Sequence, residues 1–452
     1  MTSGSLRALT GEQIRAVSPD PLGLRVVMDT RPLEDPARGP TTATYLGELL
    51  AAYDREPIDG ESFSFLVGLR GPDPTEAFQN LDVAARRRMP PSHLLRSGAL
   101  TIDPFMLRGA AIGSAWWAEQ GGASGAVFHS ASGAIPIGSR LPLVVTLLDL
   151  APWEMPGVYQ RSPAAAFGQR LRGRILRDAA AVIVGTEATA KAVRNLLRIR
   201  PERLVVVPLA ARPAFRPLEP DPAATRLPDS ATGSASPAPD PRSDRQRLGL
   251  PERYLVYSGR YDARQDLGSL LGALSRLSAV GRPAGLDPAV AWPPRVLLIG
   301  ASPDDRAALA RATAREGVGE LLAYAPALSV DRVAALVGQA RAAILPSISE
   351  AAGLPAIEAL AAGTPVIASA VGALPEIVGG AGILVEPREP DRLAAAIATS
   401  WTDDDLWARL RSDALTRSGP GRWTWADVAR ATRVVYTDVG ARRGPEDEVT
   451  GI

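Results

Sequence analysis

The sequence predicts an α/β protein built from two doubly wound, Rossmann-like domains. Three observations carry this. Strand-sized apolar runs recur with helical patterns between them, the rhythm of strand, crossover helix and parallel strand. That rhythm stops in a stretch rich in Pro, Ser, Asp, Ala and Gly, and then restarts. The 452 residues also exceed what one continuous hydrophobic core usually holds.

In the first half, Val26, Val27 and Met28 in succession suit a central parallel strand buried on both faces, predicting a strand over 24–28. Asp29 closes it, and a polar loop over 31–42 leads to a helix over 44–52. Further strands are predicted over 63–67, 126–129, 143–147, 181–184 and 204–207, with helices over 170–177 and 188–197. These define a domain over 1–215. Residues 216–250 show no persistent period and cannot recover the entropy of ordering, so a flexible insertion or linker is expected, with 229–243 as its mobile middle.

The pattern resumes with strands over 254–257, 296–299, 321–324, 343–345, 366–369 and 383–385. Helices are predicted over 267–277, 305–315, 330–339 and 354–362, and amphipathic ones beyond Glu389 and Trp401. A second domain thus spans 251–415, followed by a helix over 416–440 and a polar tail over 441–452.

Composition narrows the chemistry. Fifty basic residues against 49 acidic ones give no global reason to bind nucleic acid. The run Arg86, Arg87, Arg88 reads as a solvated helix face or loop, with an anionic partner or lipid headgroup as the alternative. Zero cysteines exclude disulfides, thiolate metal sites and cysteine nucleophiles, and with only His93 and His129 there is no histidine-rich metal site. Neither a metal nor a cofactor is expected. The beginning of the chain lacks the pattern of a signal peptide, and no apolar run is long enough to cross a bilayer. A cytoplasmic location is expected, with peripheral contact at the inner membrane face left open because a shallow helix contact needs no spanning segment.

Two constellations point to a ligand site in the second domain. The first runs Ser349, Glu350, Ala351, Ala352, Gly353, Leu354, Pro355, Ala356, Ile357, Glu358, after an apolar strand and into a helix, which is where open α/β sheets bind ligands. Pro355 suits the first helical turn, Gly353 permits close approach by a ligand, and unpaired amides near Leu354 can receive sugar or phosphate oxygens. Glu350 and Glu358 are acceptors suited to paired hydroxyls; the plainer reading is a solvated Glu350 and a Glu358 favourably placed near a helix N-terminus. The second constellation is the loop Gly259, Arg260, Tyr261, Asp262, Ala263, Arg264, Gln265, Asp266. Arg260 offers a fork of donors to a diphosphate, whereas Arg264 has local pairing with Asp266 as its alternative.

These residues resemble those of the retaining glycosyltransferases of the group 1, family 4 type, whose fold, GT-B, sets two Rossmann-like domains facing a cleft. The most diagnostic piece is Glu350 to Glu358, similar to the family's pair of glutamates separated by seven residues. Ala361, Ala362, Gly363, Thr364, Pro365, Val366, Ile367, Ala368, Ser369 and Leu374, Pro375, Glu376, Ile377 add to it. The resemblance implies transfer of a sugar from a nucleotide sugar, which is a substrate and not a cofactor, to a glycan, lipid-linked or small hydroxylated acceptor. It implies Glu350 and Arg260 as catalytic residues. Donor binding falls to Arg260, Arg264, Gln265, Gly353, Leu354 and Glu358, with Glu358 on the ribose and Glu350 on the sugar. Gly39, Thr41, His129 and Asp149 lie on the acceptor side. It also implies that the closing helix crosses back to the first domain, with Trp423 and Trp425 as packing anchors.

Departures from the family pattern bear on activity. Gln265 stands where a lysine is usual, Leu148 replaces a histidine before Asp149, Thr41 replaces the second glycine after Gly39, and Ala351 and Ala352 replace a glycine and a phenylalanine. Asp149 has a capping role as its alternative, and His129 a structural one. A nucleotide-sugar-binding protein with weak or no transferase activity, a partner in polysaccharide assembly, is therefore the second reading.

Overall fold

The computed structural model describes residues 7–8, 23–69, 71–89, 104–105, 107, 126–131, 135–218, 241–419 and 421–441. The chain divides into two compact units, one of residues Met1–Ala210, Ser349–Ala352 and Trp423–Ile452, the other of Ala211–Ile348 and Gly353–Arg422.

The first unit holds an eight-stranded sheet: β1 (Arg7–Ala8), β2 (Leu24–Asp29), β3 (Glu61–Gly68), β4 (Val83–Met89), β5 (Ala126–Ser130), β6 (Leu143–Thr146), β7 (Ala181–Val184) and β8 (Leu204–Val206). The spatial order is β1-β8-β7-β6-β5-β2-β3-β4 and every pairing is parallel. Helices α1 (Pro40–Arg55), α2 (Pro163–Asp178) and α3 (Glu187–Leu197) form its crossovers. Helix α1 starts four residues before the predicted 44, because Pro40 sits in the first turn, where its missing N–H costs nothing. Gly39 and Thr41 therefore lie at the N-cap and in the first turn of α1, not in a loop.

Strand β4 corrects the reading of the arginine run. Arg86, Arg87 and Arg88 lie on the edge strand of the sheet, neither a helix face nor a loop. A charged sequence has little strand propensity, but pairing with β3 overrides it, and charge is tolerated at an edge. Arg86 is tied down by Asp73 at 3.1 Å and Thr75 Oγ1 at 3.1 Å.

The second unit contains β9 (Leu255–Ser258), β10 (Val296–Ile299), β11 (Leu322–Tyr324), β12 (Ala342–Leu345), β13 (Val366–Ser369) and β14 (Gly382–Val385), all parallel, in the order β11-β10-β9-β12-β13-β14. Successive residues entering and forming β9 alternate between two cores: Tyr254, just before the strand, and Val256 join one, Leu255 and Tyr257 the other. That is why the run is continuously apolar. Covering helices are α4 (Pro241–Arg247), α5 (Leu267–Val280), α6 (Pro303–Glu316), α7 (Val330–Gln339), α8 (Leu354–Ala361), α9 (Pro390–Thr402) and α10 (Asp404–Arg417). Composition predicts flexibility through Ser243, yet α4 begins at Pro241. Asp244, buried on α4, is gripped by Arg332 through two hydrogen bonds, a tertiary partner that composition does not reveal. Most of the rest of the predicted linker, and the tail beyond Ala441, fall outside the described residues.

The last helix, α11 (Trp425–Ala441), belongs to the first unit and packs on α1, β2 and β5. Trp425 is buried edge-on to Tyr45, with centroids 6.0 Å apart, while Trp423 is half-buried. Among the described residues no helix is long and apolar enough to cross a membrane.

Candidate functional site

In the second unit the chain builds β9, β10 and β11 outward in one direction and then returns to place β12 on the other side of β9. The loops leaving β9 and β12 thus diverge and open a crevice at the carboxyl ends of the strands, where doubly wound sheets bind ligands. They are the two loops singled out by sequence. The Ile348 amide donates to the Arg264 carbonyl at 2.6 Å, tying one to the other.

The loop after β9 is organised around Gln265. Its Oε1 accepts from the Arg260 amide at 2.9 Å. The Tyr257 hydroxyl, 2.7 Å from Gln265 Oε1 and from the Arg260 carbonyl, is shared between them. Gly259 is needed for this closure, since a Cβ there would come within 2.7 Å of the Tyr257 hydroxyl and 2.8 Å of Gln265 Nε2. Gln265 is therefore a strut of the loop, and its amide nitrogen is the donor left for a ligand. A lysine could not accept these bonds.

Arg260 reaches α6. Its Nε donates to Asp305 Oδ2 at 2.5 Å and its Nη2 lies 3.4 Å from Ser302 Oγ. Ser302 and Asp305 form a capping box at the helix start, so Asp305 has two tasks, to cap α6 and to orient Arg260. Burial pushes the Asp305 carboxyl up, but hydrogen bonds from Arg260 and Ser302 outweigh it and hold it below the usual range. Arg264 is half-buried, its amide donating to Asp262 Oδ1 at 3.0 Å.

The loop after β12 enters α8 through Gly353, whose φ of +63° is the left-handed region open to glycine. Leu354 and Pro355 form the first turn, with Leu354 buried. Glu358, one turn further, is buried and held by Arg212, Nε to Oε1 at 2.5 Å and Nη2 to Oε2 at 3.0 Å. Burial raises the Glu358 pKa above its ordinary value, and Arg212 opposes that shift without cancelling it. Arg212 and Asp305 are not among the residues expected at the site from sequence. Asp305 carried a signal, the Ser-x-x-Asp spacing from Ser302; Arg212 carried none, since its partner is 146 residues away.

Glu350 is half-buried and lies in the stretch Ser349–Ala352, which groups with the first unit. There Ser349 Oγ donates to the Glu154 carboxylate and Thr189 Oγ1 donates to the Ala351 carbonyl at 2.9 Å. Also in the first unit, Asp149 accepts from the Ala151 amide at 2.9 Å, a local turn that leads into a short helix over Ala151–Glu154. Leu148 is buried. His129 is fully enclosed, with Nε2 2.9 Å from Thr146 Oγ1 and Nδ1 2.6 Å from the Tyr436 hydroxyl. Burial pulls its pKa down to about 3. With both nitrogens hydrogen-bonded inside the core, His129 has the surroundings that its structural alternative describes. Among the described residues no three metal-ligating side chains converge.

Two family models match the chain: "Glycosyl transferases group 1" over residues 252–403 and "Glycosyl transferase 4-like domain" over residues 40–210. The chain belongs to the group 1, family 4 glycosyltransferases. A relative in this family, the D-inositol 3-phosphate glycosyltransferase of Streptomyces bingchenggensis, is 32% identical over 225 residues, 46% of this chain and 45% of its own. Among solved structures, a sucrose-phosphate synthase from Thermosynechococcus elongatus aligns over 93% of this chain and 100% of its own, at TM-score 0.64 and 19% identity. The Anabaena protein HepE in complex with UDP and glucose aligns over 90% and 98%, at TM-score 0.62 and 17% identity. These likenesses, with the two parallel sheets, establish the GT-B fold of the glycosyltransferase family. The chain spans about a quarter to just under half the length of the curated relatives it matches.

Proposed function

We propose that the protein is a retaining, metal-independent glycosyltransferase that moves a sugar from a nucleotide-sugar donor to a glycan, lipid-linked or small hydroxylated acceptor. The observation that carries this is the crevice between the loops after β9 and β12, which brings a forked cation, Arg260, and a carboxylate helix, α8, to one switch point. HepE, a protein of the same fold, is known in complex with UDP and glucose.

In this reading Glu358 accepts the ribose hydroxyls, while the amides entering α8 at Gly353 and Leu354 meet donor oxygens. Arg260 and Gln265 Nε2 face the diphosphate, supported by Arg264, and Glu350 takes hydroxyls of the transferred sugar. The bond from the anomeric carbon to the phosphate oxygen breaks as the acceptor oxygen forms its bond on the same face. The acceptor proton passes to the departing phosphate. Negative charge grows on that phosphate in the transition state, so fixed donors around it lower the barrier more than they strengthen ground-state binding.

Product formation from UDP-, GDP- and ADP-linked sugars, followed by mass spectrometry across an acceptor panel, tests this. Arg260→Ala and Glu350→Ala should each abolish transfer. Unchanged transfer in both variants would place the site elsewhere. The second reading, donor binding without transfer, is favoured by one observation: Gln265 spends its acceptor on the loop and brings no charge to the phosphate. Nucleotide binding with neither transfer nor hydrolysis for any acceptor would select it.

A further inference from the structure

Helix α8 sends Ala356, Ala359 and Leu360 into an apolar core, and Glu358 is 5% exposed on the same helix. A carboxylate so placed needs a partner that compensates its lost hydration. Among the described residues Arg212 supplies it. The Arg212 fork takes both carboxylate oxygens, and its backbone amide adds a further hydrogen bond. The guanidinium is in turn held 5.0 Å from the centroid of Phe215, a ring 1% exposed. Arg212 therefore has a defined seat, made by a segment that follows β8.

We propose that Arg212 is a positioning residue of the donor site, fixing Glu358 in the orientation that accepts ribose hydroxyls and neutralising its charge toward an anionic nucleotide. The inference rests on the donor-site reading above. Two physical needs support it. A carboxylate has about four acceptor positions, so the fork and the amide leave capacity for a hydroxyl while fixing the plane of the group. A bare carboxylate beside a nucleoside diphosphate would also repel it, whereas the Arg212–Glu358 pair carries no net charge. A pair serving stability alone would be indifferent to the sugar of the nucleotide.

The test is equilibrium binding by calorimetry to the full chain, using UDP, GDP and ADP beside their 2′,3′-dideoxy counterparts, at a series of pH values over which the protein stays folded. Wild type should prefer the ribonucleotide by about tenfold or more, the worth of a hydrogen bond to a charged group. Arg212→Gln should lose that preference, and Arg212→Lys, which keeps the charge without the fork, should retain part of it; thermal melts confirm folding of each. Removing Arg212 leaves burial unopposed, so affinity for the ribonucleotide should fall off at higher pH in Arg212→Gln than in wild type as the solution is acidified. If wild type binds one of these nucleotides but Arg212→Gln keeps the full ribose preference, or binds more tightly, the positioning role is wrong while the donor site stands. If wild type binds none of the three, the donor-site reading itself falls, and this inference with it.

Discussion

Arg260 and Asp305 sit 2.5 Å apart, Nε to Oδ2, across the space between the loop after β9 and the first turn of α6. The pairing engages the Nε edge of the guanidinium while Nη2 lies 3.4 Å from Ser302 Oγ, so both members of the α6 capping box orient the fork. Asp305→Asn keeps the shape and part of the cap but loses the charge that orients the fork. The expected result is a loss of about 1 kcal/mol in stability, typical of a weakened cap, and a several-fold rise in Kd for the nucleoside diphosphate. Tighter binding would mean that Asp305 competes with the ligand instead of aiming Arg260.

Gly353 is constrained twice. Its φ of +63° disfavours a side chain, and a Cβ would lie 2.2 Å from Ile377 Cδ1. Gly353→Ala should cost about 1–3 kcal/mol by denaturant unfolding, from the left-handed backbone and the local overpacking. Adding Ile377→Val should recover the packing part only, so a double variant as unstable as Gly353→Ala alone would assign the whole cost to the backbone.

His129 predicts a specific acid sensitivity. Burial lowers its pKa from 6.5 to about 3, so the unfolded chain takes up a proton below 6.5 while the native chain does not. Its contribution is present above 6.5 and is lost as pH falls from there toward 3. Stability in that window should decline by about 1.4 kcal/mol per pH unit from this group alone. His129→Gln, less stable near neutrality, should show a shallower decline by that amount; an unchanged slope would mean the ring is protonated in the native state.

Arg433 and Glu61 form a buried pair, Nη2 to Oε2 at 2.7 Å with side chains 2% and 3% exposed, and the guanidinium lies 4.5 Å from the centroid of Tyr53. Arg433 is on α11 and Glu61 opens β3, so the pair fastens the end of the chain into the first unit's core. Arg433→Ala strands a buried carboxylate and should cost about 3–5 kcal/mol. The double change Arg433→Met with Glu61→Leu should restore most of that loss in chemical denaturation.

What could be read from the chain follows physical scale. The buried strands were legible because a parallel strand covered on both faces must be apolar at every position, as at 255–257 and 296–299. The loop carrying Gly259 and Arg260 and the turn at Gly353 were legible because each follows such a strand and changes backbone chemistry within a few residues. Strand β4 was not, since Arg86, Arg87 and Arg88 take extended form only because β3 offers an edge. Helix α4 was hidden for a similar reason, its hold on the chain being Asp244 to Arg332.

The sequence by itself determined two parallel α/β units, the family to which they belong, and which loops leave the carboxyl ends of the sheet. The units and their loops rest on periodicity and on backbone needs that short stretches of chain express alone, and the family on the resemblance carried by Glu350 to Glu358 and the stretches that follow. Tertiary structure decided how each charge is used: Arg212 on Glu358, Asp305 on Arg260, Gln265 as a loop strut, and His129 sealed between Thr146 and Tyr436. A charged or polar side chain takes its role from the partner that compensates its desolvation, and that partner is chosen by the fold, in the Arg212 case across 146 residues.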